Sequence, residues 1–155
     1  SRIRSWGELT LEPYSQDYKI ERNDIANAGT VASLTKRALR KRGLSREFIK
    51  QVTIGVYEAE INVVIHSYGG TVKVVVEDEY AEITFKDVGP GIPSIEKALT
   101  KGYSTASSYA IENGFGAGMG LPNIQAVSDE MDLQSSDEGT YLKMKFYITE
   151  DCYES

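Results

Sequence analysis

Residues 56–66 read Val-Tyr-Glu-Ala-Glu-Ile-Asn-Val-Val-Ile-His, and the fold turns on how this stretch is read. It is apolar almost all round, which marks the buried half of a helix. The helix opens at the Ser45 cap and runs to about Ser67, where Gly69-Gly70 ends it. Glu58, Asn62 and His66 stand four residues apart and stack along one face. Gly55 lies on the same stripe one turn earlier and leaves space there. A carboxylate, an amide and an imidazole in an apolar neighbourhood are costly to bury without partners. Alone, the row reads first as a water-facing edge of the helix. Glu60, two residues from Glu58, points to another side.

Working outward, Tyr18 to Arg22 alternates as a strand does, and Asn23 or Asp24 offers a helix cap. Ile25, Ala28, Ala32, Thr35 and Leu39 then follow at helical spacing as far as Gly43. The last turns of that helix carry Lys36, Arg37, Arg40, Lys41 and Arg42. These cations suit the negative end of the helix dipole, and a docking patch for an acidic partner is the other reading. On the far side of the central helix, Thr71 to Glu77 and Ala81 to Asp87 form a hairpin about Asp78-Glu79-Tyr80. A short helix near Ile95 to Leu99, a long loop from Lys101 to Gly118 and a helix from Leu121 to Ser128 come next. Strands over Met131 to Ser135 and Thr140 to Thr149, joined by Asp137-Glu138-Gly139, close the chain. The order β-α-α-β-β-α-loop-α-β-β predicts an α+β two-layer sandwich with helices on one face of a mixed sheet.

Two further stretches carry chemistry. Asp87-Val88-Gly89-Pro90-Gly91 sets an aspartate at a strand end before two glycines, which lets backbone approach a ligand. An ionised carboxylate only accepts hydrogen bonds, so it suits an amino group; an ordinary Asx turn has the same residues. Gly114-Phe115-Gly116-Ala117-Gly118-Met119-Gly120-Leu121 precedes a helix, where bare amides form an anion site. The dinucleotide spacing would need glycine at Met119 or Leu121, and the Walker pattern is absent.

Taken in this order, E-x-x-x-N, D-x-G-x-G, G-x-G-x-G and Gly139-Thr140 resemble the GHKL (Bergerat-fold) ATP-binding domain over about Tyr18 to Ile148. Lys101-Gly-Tyr-Ser-Thr and Gly116-Ala-Gly-Met-Gly-Leu-Pro look most like the bacterial anti-sigma-factor and stress-switch serine/threonine kinases. The resemblance implies ATP and Mg²⁺ as cofactors and a STAS-type antagonist protein as phosphoacceptor, with a sigma factor as a second partner. It makes Glu58 the base for the attacking hydroxyl and Asn62 the Mg²⁺ ligand. Asp87 reads the adenine amino group, supported by Thr140, usually through water, Gly89 and Gly91 keep the base pocket open, and Ile92 is a further nucleotide contact. His66, Ser104, Thr105, Gly116, Ala117, Gly118, Met119, Gly120 and Leu121 complete the expected nucleotide contacts, and residues 101–113 match the ATP lid. A non-catalytic ATP-dependent switch that sequesters its partner is the alternative.

Composition narrows the field. A net charge of −6 argues against a general nucleic-acid binder, and no apolar run reaches the roughly 18–20 residues of a membrane span. The single histidine excludes a His-rich metal site. The lone Cys152 fits a reducing compartment, and the opening residues have no signal-peptide pattern, so a cytoplasmic protein is expected. Residues 1–16 read as an arm of unassigned role, 17–149 as the ATP-binding domain and 150–155 as an acidic tail. A homodimer is left open.

Overall fold

The computed structural model describes residues 12–92, 94–99 and 120–154. Strand β1 (Tyr14–Glu21) leads through a 3-10 turn (Ile25–Asn27) to helices α1 (Thr30–Lys41) and α2 (Arg46–His66). Strands β2 (Gly69–Val76) and β3 (Tyr80–Asp87) follow, then the short helix α3 (Ile95–Ala98). Helix α4 (Gly120–Val127), strands β4 (Glu130–Ser136) and β5 (Gly139–Tyr147) and a 3-10 turn (Glu150–Cys152) complete the described chain.

The five strands lie in the order β1-β2-β3-β5-β4. Every hydrogen-bonded neighbour is antiparallel, where the sequence reading expects a mixed sheet. The reason is an insertion. Strands β3 and β4 do run the same way, but β5 enters between them, so no parallel pair is bonded. β1 begins at Tyr14, opposite Val76, so Tyr14 to Gln16 belong to the sheet rather than to an arm.

Period-two alternation drives one sheet face into the core. Val72, Val74 and Val76, Ala81, Ile83 and Phe85, and Leu142, Met144 and Phe146 are all buried there. The opposite face presents Asp17, Lys73, Glu82, Thr84 and Lys143 around a shallow concavity of about 410 Å³. On the core side, α2 lies between α1 and α4. It buries Phe48, Ile49, Val52, Val56, Ala59, Val63 and Val64. Gly55 does not leave open space beside Glu58, as the spacing suggests. A methyl group there would stand 3.0 Å from Met144 Sδ and 3.3 Å from both Phe146 and Val127, so the glycine lets α2 press on the core.

Local chemistry sets the element ends. Ser45 caps α2 by accepting from the Phe48 amide at 3.2 Å. The single helix expected from Asp24 to Gly43 is broken. Asn23 is left-handed, Asn27 Nδ2 donates to the Asp24 carboxylate at 2.8 Å, and Gly29 sits at φ 98 before α1 starts. Gly69 and Gly70 do more than stop α2; they open β2. Gly69 has φ 110, and a side chain on Gly70 would run into the Lys86 carbonyl.

Candidate functional site

The buried segment of α2 carries the predicted row, and the first turns of α4 close over it. Asn123 Nδ2 donates to Glu58 Oε2 at 2.8 Å. Gly120 lies so near Asn62 that a methyl group on it would stand 3.2 Å from both side-chain polar atoms. Glu58, Asn62 and His66 are each half-buried, so the row borders the core and still reaches solvent. Burial holds the His66 imidazole below its usual value, which leaves it neutral near pH 7. The sequence reading passed over Asn123. Its signal was one polar residue in an apolar helix start, Gly120-Leu-Pro-Asn-Ile.

Glu60 does point to another side, yet it has a task of its own. It is 1% exposed, and its two oxygens accept from the Val31 and Ala32 amides at 3.0 and 3.1 Å. The N-cap of α1 is Gly29, which has no side chain to offer, so Glu60 caps α1 from the neighbouring helix. Burial raises its pKa, against the opposing pull of the amides of residues 29–32.

The second corner adjoins the end of α2. The Tyr68 amide donates to Val88 O at 2.7 Å and the Val88 amide to Gly69 O at 3.0 Å. These bonds set Asp87 beside the chain segment that follows His66. Asp87 Oδ1 accepts from the Thr140 amide at 2.8 Å, and no described residue bonds its other oxygen. Burial raises the pKa of this carboxyl, with the Thr140 bond working in the other direction. Thr140 therefore supports Asp87 directly through its backbone; its hydroxyl pairs with Ser135 Oγ at 2.8 Å. Ile92 joins the same corner, donating its amide to Ser135 Oγ at 2.7 Å.

The glycines here answer to packing. A methyl on Gly89 would stand 3.1 Å from Ser67 Cα, and Gly91, at φ 75, lies against the Ser136 carbonyl where no side chain fits. Leu121 is buried in the core beside Ile124, so it anchors α4 from within. Ser104, Thr105, Gly116, Ala117, Gly118 and Met119, with the expected lid, lie outside the described residues.

The donor set fits an adenine nucleotide. Asp87 combines a free acceptor oxygen with partial burial, as an amino-group reader needs. Among the described residues no cluster of three His, Cys, Asp or Glu could hold a metal. A divalent ion would therefore depend on the Asn62 amide oxygen together with phosphate oxygens, a set that suits Mg²⁺.

Residues 22–146 match the family described as the histidine kinase-like ATPase domain. The anti-sigma F factor of Geobacillus sp. (strain WCH70) is 32% identical over 108 residues, 65% of this chain and 70% of the relative. The anti-sigma F factor of Clostridium acetobutylicum is 34% identical over 113 residues, 68% and 76% of the two chains. The serine/threonine-protein kinase RsbT of Bacillus subtilis (strain 168) is 38% identical over 63 residues, 40% and 41% of the two chains. Among solved structures, the RsbU and RsbW domains of a Mycobacterium tuberculosis protein superpose with a TM-score of 0.58 at 17% identity. That match covers 88% of this chain and 32% of the other, so this chain spans about a third of its length and the likeness concerns the fold.

Proposed function

Because the chain belongs to the histidine kinase-like ATPase domain family, we propose that it is an ATP-dependent serine/threonine protein kinase of the anti-sigma-factor type. Its substrate is a small STAS-type antagonist protein in a cytoplasmic partner-switching pathway, with a sigma factor as the second partner. The observation that carries this reading is the pairing of Glu58 with Asn62, one turn apart on α2 and both held against the first turns of α4.

Each side chain has a distinct part. Glu58 accepts the proton of an incoming serine or threonine hydroxyl. Asn123, bonded to Oε2, fixes the orientation of that carboxylate. Asn62 offers its amide oxygen to Mg²⁺, and Asp87 accepts a hydrogen bond from the adenine amino group through its free oxygen. His66 stands one turn beyond Asn62 on the same face of α2. When bound, ATP would supply the phosphoryl group and Mg²⁺ held by Asn62 would neutralise its charge, which matters more in phosphoryl transfer than covalent chemistry from the protein.

The test is to incubate the protein with γ-labelled ATP, Mg²⁺ and a STAS-domain protein of the same organism. Label on a serine or threonine of that protein is the expected result. Tight ATP-dependent binding without any label would replace the kinase by a non-catalytic switch.

A further inference from the structure

We propose that the outer faces of α1 and of the first turns of α2 form a docking surface for an acidic segment of a partner protein. Lys36, Arg37, Arg40 and Lys41 on α1, and Arg46 and Lys50 on α2, are all exposed. None of these six makes an ion pair or stacks on a ring among the described residues. Residues 36–50 carry a net charge of +6, while the rest of the chain carries −12.

The arrangement works against the helices that bear it. Lys36 and Arg40, Arg37 and Lys41, and Arg46 and Lys50 are like-charge pairs at i, i+4 spacing, which weaken a helix. The helix dipole accounts for Arg40 and Lys41 in the last turn of α1. It does not account for Lys36 and Arg37 farther back or for Lys50 in the second turn of α2, and it opposes Arg46, which opens α2 where acids are favoured. A face kept only for solubility would mix its signs. Unpaired charge that costs stability, gathered on one corner of an acidic protein, points to a negative ligand.

The fold says what kind. Residues Cys152 to Glu154 lie along the turn between the two helices. The Ser45 amide donates to Cys152 O at 2.6 Å, and the Glu154 amide donates to Gly43 O at 2.9 Å. The chain's own Cys152 to Glu154 thus lies at the foot of this corner through backbone bonds and leaves the cations above it uncovered. A nucleic acid fits poorly. From Lys36 to Lys41 the helix rises only about 7.5 Å. A phosphate backbone extending beyond it would meet Glu47, Glu150 and Asp151, all exposed, and an otherwise acidic surface. Arg46 lies twelve residues from Glu58, about 18 Å along the helix, so a partner docked here leaves the Glu58 edge open. The surface is independent of the nucleotide reading.

The experiment uses the full chain and a fluorescein-labelled peptide of alternating glutamate and serine, with its glutamine counterpart as control. Fluorescence anisotropy is followed at low salt and at about 0.3 M salt. The acidic peptide should bind the wild type at low salt. Binding should weaken by about tenfold or more in the K36Q/R37Q/R40Q/K41Q variant and in high salt, the scale of several screened charge contacts. Glutamine keeps helix propensity, and R46Q/K50Q gives a second variant on the other helix. Equal peptide binding by wild type and both variants would overturn the proposal, as would absence of peptide binding to the wild type. Patch-dependent binding of oligothymidylate in preference to the peptide would also overturn it and assign the surface to nucleic acid.

Discussion

Replacing Glu60 by alanine should loosen the whole helical layer, although the side chain touches no reacting group. The wild-type carboxylate serves the amides of Val31 and Ala32, residues only 3% and 4% exposed, so water is a poor substitute. A lost N-cap costs about 0.5–2 kcal/mol. A buried donor left without its acceptor costs about 1–3 kcal/mol. The two costs overlap, so the expected loss is about 1–4 kcal/mol, or roughly 2–16 °C in Tm for a domain of this size. Glu60→Gln keeps one acceptor but turns an amino group toward the second amide, so it should fall between alanine and wild type. Burial raises the Glu60 pKa, so the folded state holds this proton more tightly than the unfolded chain. The contribution of Glu60 to stability is thus greatest below the ordinary carboxylate value and declines as pH rises through the raised one. Glu60→Gln should remove that slope. Urea unfolding across pH, with hydrogen exchange at Val31 and Ala32, checks the account. Stability within about 0.5 kcal/mol of wild type for Glu60→Ala, with both amides still protected, would refute it.

Asp87→Ala should weaken ATP binding by about tenfold or more, since a hydrogen bond to a charged group is worth about 1.5–3 kcal/mol, and calorimetry reads the change directly. Because burial raises the Asp87 pKa, wild-type affinity should fall as pH drops through that raised value, earlier than for an ordinary aspartate, while Asp87→Asn should lack this dependence. Glu58→Gln should still bind ATP but transfer phosphate about 10²–10⁴-fold more slowly; transfer at the wild-type rate would remove the base role. Asn62→Ala should lose far more affinity for Mg·ATP than for metal-free ATP, and equal losses in paired titrations would make Asn62 a structural residue.

What the sequence made legible was local. Seven apolar residues among the eleven from Val56 to His66 and a serine cap are enough to place α2, and the row Glu58, Asn62 and His66 follows from helix geometry alone. The hairpin of β2 and β3 follows from alternation. What escaped depends on residues far apart in the chain. The break at Gly29 makes sense only with Glu60, about thirty residues away, as the cap. The bond from Asn123 to Glu58 spans 65 residues. The sheet direction was misread because nothing local in Gly139 to Tyr147 says that this strand enters between two others. Gly89 and Gly91 were read as openings for a ligand, whereas Ser67 and Ser136 crowd them.

The place of β5 in the sheet has a consequence for how the protein is made. It is the last made of the five described strands, yet it lies between β3 and β4 and brings Leu142, Met144 and Phe146 into the core. Until Gly139 to Tyr147 emerges, β3 and β4 each present an unpaired edge, and the Thr140 amide that orients Asp87 does not exist. Such edges are templates for pairing with other chains. Nascent chains stopped before residue 139 should therefore be the most aggregation-prone species this sequence produces. The corner around Asp87 should therefore form only after Gly139 to Tyr147 has been made, later than the helices and the hairpin that flank it.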